Sequence, residues 1–193
     1  TGRPILLSLS PGEAPFDEAA NLQQYSQQWR ISDDIWDLWQ SDKPYPQGLN
    51  DQFPRAARWI STQRASSETG GHWPDADMLP LGHLGPAPGY GKARDTGLTH
   101  DEQRSLINLW SIFRSPLMYG GDPTLTDEWT LSLLTNPEVI AVDQHSRNNR
   151  SAILTDSLAI WTAQPPTGTD HYLAVFNRKD TPQMVALPWT ALQ

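Results

Sequence analysis

Trp29-Arg30-Ile31-Ser32-Asp33-Asp34-Ile35-Trp36-Asp37-Leu38-Trp39 concentrates three Trp, one Arg and three Asp in eleven residues. Carboxylates beside aromatic faces are what is needed to hold a pyranose ring and protonate its leaving oxygen. A simpler account is local: Ser32, Asp33 or Asp34 caps a helix that opens at Ile35 and Trp36, with acids favoured by the helix dipole. On these residues alone capping is the stronger reading. A second cluster reverses it. Gly71-His72-Trp73-Pro74-Asp75-Ala76-Asp77-Met78-Leu79-Pro80-Leu81-Gly82 brings two more Asp and another Trp next to a Pro/Gly-dense loop that runs to Gly97, and long structured loops in compact domains tend to be functional rims. Within it, Asp75 reads as structural. His72 reads as a packed histidine, since no second His stands at metal-ligand spacing. No metal or cofactor site is expected.

Both clusters need elements to hold them. Pro4-Ile5-Leu6-Leu7-Ser8-Leu9-Ser10 is an almost continuous apolar run, suited to a strand buried on both faces of a parallel sheet. Ala19, Leu22, Tyr25 and Trp29 recur at helical spacing after Pro15. A short strand at Trp29–Ile31 and a helix through Ile35, Leu38 and Trp39 are expected next, then a helix through Phe53, Ala56, Ala57 and Ile60 that stops at Gly70-Gly71. Thr99-His100-Asp101-Glu102 is a capping box ahead of the stripe Leu106, Leu109, Trp110 and Phe113. Ser115 to Gly121 reads as a short buried strand closed by glycines. Leu125, Trp129 and Leu133 mark a last helix, ended at Asn136-Pro137.

Strand and helix thus alternate as in an open parallel sheet or a barrel, in which polar groups collect at the C-terminal ends of strands. Ser10, Arg30 to Asp34, Asp75 to Met78 and Met118 to Gly121 all fall at such ends. That recurrence favours chemistry over capping. Beyond Val142 the texture changes. Arg147-Asn148-Asn149-Arg150 reads as a linker, and Leu158–Ala163, Tyr172–Asn177 and Met184–Leu187 read as short strands of a partial antiparallel unit. The expected division is therefore 1–146 and 147–193.

The totals narrow the classes. The chain has 193 residues, a net charge of −8 and no cysteine. Nucleic acid and anionic membrane surfaces are poor partners for that charge, and thiol chemistry is excluded. No apolar run reaches membrane-spanning length. Nine Trp hint at sugar faces, although core packing accounts for most Trp in most proteins.

Thr-Gly-Arg-Pro-Ile, Trp-Arg-x-Ser-x-Asp-Ile, Gly-His-Trp-Pro-Asp-x-Asp-Met-Leu, Leu-Trp-Ser-Ile-x-x-Ser-Pro-Leu-Met and Leu-Leu-Thr-Asn-x-Glu-Val-Ile-x-Val-Asp-Gln occur here in order between Thr1 and Gln144. Together they resemble glycoside hydrolase family 27, which holds α-galactosidases and α-N-acetylgalactosaminidases. The resemblance implies strands five to eight of a (β/α)8 barrel followed by the start of an antiparallel β-sandwich. It implies a retaining mechanism with Asp34 as general acid/base, Arg30 near the sugar 2-position, and Asp77 and Met78 lining the sugar pocket with Trp73 beside them. Ser10 takes the place at which familiar α-galactosidases often carry Glu and N-acetylgalactosaminidases carry Ser, so sugar choice at the 2-position stays open. β-L-Arabinopyranoside cleavage and a non-catalytic sugar-binding half-barrel are the other readings. The family's nucleophile sits in a Lys-Tyr-Asp type motif, and no such motif occurs here.

An α-galactoside is the partner implied, and that substrate class points to a secreted or periplasmic location. The opening Thr1-Gly2-Arg3-Pro4 does not read as a natural start. The expectation is therefore a chain that pairs with a second copy or with an upstream half of the barrel, and that is inactive alone. Arg30 is expected to reach for the sugar or for Asp77, since an Arg aimed at Asp34 would oppose proton retention there.

Overall fold

The structure, a computed structural model, describes residues 2–3, 5–69, 71–86, 91–188 and 190. Its first sheet is parallel, in the order β1 (Ser8–Leu9), β2 (Gln28–Arg30) and β3 (Trp73–Asp75). Leu9 pairs with Trp29, and Arg30 with Asp75. The parallel order continues past β3 through a bridge between Leu79 and Tyr119, with Leu79 N–H donating to the Met118 carbonyl at 2.7 Å. Parallel neighbours require crossovers, and helices supply them: α1 (Ala19–Tyr25) lies between β1 and β2, α2 (Gln52–Thr69) between β2 and β3, and α3 (His100–Phe113) before the 115–121 segment.

α3 shows how the sequence fixes an element at both ends. The Thr99 side chain accepts from Glu102 N–H, and the Glu102 carboxylate accepts from Thr99 N–H at 2.7 Å. Leu106, Leu109, Trp110 and Phe113 are all buried on one face. The helix ends at Arg114, in the left-handed region at φ 61°. Two short helices follow, α4 (Glu128–Leu134) and α5 (Pro137–His145). α4 stops just before Asn136-Pro137, as expected, and Asn136 is also the cap that starts α5, accepting from Glu138 and Val139 N–H with Pro137 at the first helical position.

Other expectations are corrected. No helix forms at Ile35–Trp39: Ile35 bridges in parallel to Gln47, and Trp36 N–H donates to the Gln47 carbonyl. The chain from Asp34 therefore folds onto a loop rather than into a turn of helix. The apolar run before Ser10 is not buried. Ile5 is 80% exposed and Leu6 58%, and β1 is an edge whose only sheet neighbour among the described residues is β2; Pro4 lies outside the described residues. The expected linker at 147–150 begins strand β6 (Arg147–Leu154), anchored by the buried Asn149 side chain donating to the Ile112 carbonyl at 2.7 Å. Met184–Leu187 is irregular. The 115–121 segment is only partly a buried strand, with Ser115 buried and Met118 exposed.

β6, β7 (Leu158–Gln164) and β8 (Tyr172–Asn177) make an antiparallel sheet in that order. Its inner residues join the core of the parallel part: the Phe53 and Phe176 rings are 5.1 Å apart, and those of Phe113 and Trp161 6.1 Å, both edge-on. Strands β4 (His83–Leu84) and β5 (Arg94–Asp95) form a small hairpin. It is tied to the first cluster by Arg94, which pairs with Asp37 and lies over the Trp36 ring.

Candidate active site

Arg30 ends β2 and Asp75 ends β3 in the same register step. The peptides just beyond those ends converge on the Arg30 guanidinium. Asp77 Oδ2 lies 2.8 Å from Arg30 Nη2, and Asp34 Oδ1 lies 3.4 Å from the same guanidinium. Ser10, beyond the end of β1, brings Oγ to 3.5 Å from Nη1. Three adjacent strand ends thus bring Ser10, Asp34 and Asp77, all singled out from sequence, to the Arg30 cation. The expected reach of Arg30 toward Asp77 is found; its approach to Asp34 is the additional feature.

The two acids differ in surroundings. Asp77 is buried beside Arg30, and its Oδ2 also accepts from Ile35 N–H at 2.8 Å. Burial pushes its carboxyl above the ordinary range, and the Arg30 charge works against that rise. The Asp34 side chain is 44% exposed at the open side. Its second oxygen accepts from the Tyr45 phenol at 3.0 Å. Asp33, its neighbour, points elsewhere: Oδ1 accepts from Glu13 N–H at 3.3 Å, and a Cβ at Gly12 would come within 2.6 Å of that oxygen. Gly12, at φ 104°, is therefore the residue that lets the loop after β1 close on Asp33.

Asp77 stands at φ 82°, where an Asp is tolerated but the backbone must be held. Three bonds hold it. Asp77 N–H donates to Asp75 Oδ1 at 2.8 Å, the Trp110 indole N–H donates to the Asp77 carbonyl at 2.8 Å, and Ile35 N–H meets its side chain. Asp75 is thus a structural acid, as its position suggested; burial raises it to about 6. Trp110→Phe leaves the Asp77 carbonyl without its donor. An orphaned buried acceptor costs about 1–3 kcal/mol, so a lowered midpoint in denaturant unfolding is expected, with the loss concentrated at the site.

Met78 follows Asp77 and covers Gly120, where a Cβ would come within 2.5 Å of its sulfur. Trp73 is not in this group. It starts β3 opposite Gln28, two register steps before Asp75, and its ring lies 4.7 Å from the Arg114 guanidinium. Ring-to-guanidinium stacking accounts for it as packing. Tyr45 was not singled out from sequence. Nothing in its spacing marks it; its place depends on the Gln47 bridge to Asp34–Trp36, which is tertiary. Among the described residues no cluster of His, Cys, Asp or Glu is arranged to hold a metal ion, and no helix is long and apolar enough to cross a membrane.

A family model described as alpha galactosidase A matches residues 1–145. Over 194 aligned residues the chain is 28% identical to alpha-galactosidase 3 of Arabidopsis thaliana, covering 98% of this chain and 38% of that one. It is 28% identical over 149 residues to the alpha-N-acetylgalactosaminidase of Mus musculus, covering 75% of this chain and 31% of that one. Among solved structures, a β-L-arabinopyranosidase from Geobacillus stearothermophilus superposes with a TM-score of 0.80 at 46% identity, over 91% of this chain and 38% of that one. The chain thus spans less than half the length of the relatives it matches, and its fold is part of the barrel fold of those enzymes. The chain belongs to glycoside hydrolase family 27, the family of the α-galactosidases.

Proposed function

We propose that this chain carries the proton-donor side of a retaining glycosidase site for terminal α-linked galactose, with Asp34 as general acid/base and the nucleophile supplied from outside these residues. The supporting observation is the convergence of Asp34, Asp77 and Ser10 on Arg30 at three adjacent strand ends. In the first step a carboxylate attacks the anomeric carbon, the glycosidic C–O bond breaks, and the Asp34 proton goes to the leaving oxygen. In the second, water attacks the same carbon, the C–O bond to the nucleophile carboxylate breaks, the water proton passes to the Asp34 carboxylate, and the sugar is released. Asp34 suits both steps because it is open to the leaving group on one side. Asp77, locked by Arg30 and Ile35 N–H, serves as a fixed acceptor for sugar hydroxyls. Ser10 and Arg30 face the 2-position, and Met78 forms part of the pocket wall.

β-L-Arabinopyranose is a second reading. It shares the ring stereochemistry of α-D-galactopyranose and lacks only the hydroxymethyl group. The 46% identity to an arabinopyranosidase favours it over α-N-acetylgalactosaminide cleavage. The full-length gene product, assayed with nitrophenyl α-galactoside, β-L-arabinopyranoside and α-N-acetylgalactosaminide, separates these specificities. Turnover of none of the three would leave only a sugar-binding role. The 193-residue chain alone is expected to show no turnover, and activity in pure material would overturn the placement of the nucleophile.

The same reading divides the chain at about residue 146, between barrel and β domain, and places the upstream barrel strands against β1, where Ile5, Leu6 and Leu7 are exposed. Exposed apolar edges associate. Sedimentation of the isolated chain is expected to show association, which Leu6→Lys abolishes. A well-behaved monomer with an unchanged fold would count against that placement, and a closed dimer would put a second copy there instead.

A further inference from the structure

We propose that Tyr45 is the positioning residue of Asp34, holding its carboxyl in place through both proton transfers and biasing it toward the ionised form. The inference rests on Asp34 being the proton donor proposed above.

The loop that carries Tyr45 is stitched to the backbone of Asp34 itself. Gln47 N–H donates to the Asp34 carbonyl at 3.0 Å, and Trp36 N–H donates to the Gln47 carbonyl at 3.2 Å. Gly48 then allows a close approach: a Cβ there would come within 2.7 Å of the Trp39 carbonyl oxygen. The buried Gln52 side chain steadies Gln47 through a 3.4 Å bond. Two residues before Gln47, Tyr45 is thereby delivered over Asp34, and its phenol reaches Oδ2 at 3.0 Å. A chance surface contact would have no reason for this backbone register.

The chemistry follows from what a phenol can do. It donates to a carboxylate and accepts from a carboxylic acid, so it keeps its bond in both protonation states. Donation to the anion is roughly twice as strong as a neutral bond, so the phenol favours the ionised form. Among the interactions described, Arg30 from β2 acts on Asp34 in the same direction, and Asp77 from beyond β3 opposes it. Tyr45 also completes the orientation: Arg30 approaches Oδ1 and Tyr45 meets Oδ2, so the plane of the carboxyl group is fixed from two sides.

The test is a carbon-detected carboxyl titration of the full-length gene product, with the Asp34 resonance identified by its loss in Asp34→Asn. In Tyr45→Phe the midpoint of Asp34 is expected to rise by roughly 0.5–1 pH unit. Tyr45→Ala should give the same rise, since the hydroxyl carries the effect. An unmoved midpoint in Tyr45→Phe, or a rise seen only in Tyr45→Ala, overturns the proposal. In the full-length gene product the alkaline limb of kcat/KM is expected to move up with the midpoint in Tyr45→Phe. Full activity of Asp34→Asn would instead sink the acid/base reading while leaving the titration result standing, so the two failures are distinguishable.

Discussion

Asp34→Asn in the full-length gene product is expected to lower hydrolysis of galactosides with unactivated leaving groups by roughly 10²- to 10⁴-fold, the usual contribution of a positioned general acid/base. The size of the loss should depend on the leaving group. A nitrophenolate departs without protonation, so its first step survives better, and the sugar then waits on the enzyme for a base that Asn cannot provide. Azide needs no base to attack the anomeric carbon and is expected to restore turnover of the nitrophenyl substrate. The substitution is close to isosteric at a side chain that is 44% exposed, so thermal unfolding should change little. Asp77→Asn offers the contrast. It weakens the pairing with Arg30 at 2.8 Å, so a fall in sugar affinity and in stability is expected together, with no azide rescue. A leaving-group-independent loss in Asp34→Asn would assign Asp34 to binding rather than proton transfer.

The site was legible because its residues lie at strand ends. Arg30, Asp75 and Asp77 are found next to short apolar runs, and the parallel register puts such ends side by side whatever the intervening loops do. The helix α3 was legible because both its cap and its apolar stripe are local: Thr99 and Glu102 need only each other. The failures were tertiary. Ile35, Leu38 and Trp39 have helical spacing, yet Ile35 is fully buried through its bridge to Gln47, a partner further along the chain that spacing does not reveal. The run before Ser10 has the composition of a doubly covered strand, but among the described residues β1 pairs on one edge only. Trp73 was drawn into the site by its nearness in sequence to Asp77. A strand separates its two ends in space, and the ring belongs with Arg114 at the far one.

A consequence of this arrangement is a division of labour between buried and open carboxylates. Asp75 and Asp77 are enclosed and their bonds shape the backbone, including the left-handed residue at 77. Asp34 is the member that meets solvent, and the side chains of Arg30 and Tyr45 approach its two oxygens. In the proposed mechanism proton exchange with substrate falls to the open group, and fixed geometry to the enclosed ones. Asp75, the most buried of the three, is 1% exposed and its carboxylate accepts from Asp77 N–H, which suits a structural role rather than exchange with a ligand.

Enclosure of Asp75 has a thermodynamic signature. Burial raises its carboxyl from 3.8 to about 6, with the Asp77 N–H bond and the Arg30 charge opposing. Between those values the folded protein keeps a proton that the unfolded chain has released, so stability falls as pH rises through the window and levels off above it. A displacement of about 2 units corresponds to about 3 kcal/mol. Asp75→Asn removes the penalty while keeping a side-chain oxygen for Asp77 N–H. Below pH 4 the variant and the parent are expected to unfold alike, since both present a neutral group. Above pH 7 the variant is expected to be more stable, by up to about 3 kcal/mol. Asp143 is a second such group: burial raises it to about 7, with Arg114 opposing. It keeps partial contact with solvent, so Asp143→Asn is expected to give a smaller gain, which grows as pH rises from about 4 to about 7 and is level above that. Thermal unfolding of parent and variants at pH 4 and pH 8 reads both. A gain of equal size at the two pH values would mean that packing, not a held proton, separates Asn from Asp at position 75. A loss at pH 8 would mean that the negative charge of Asp75 is needed to balance Arg30.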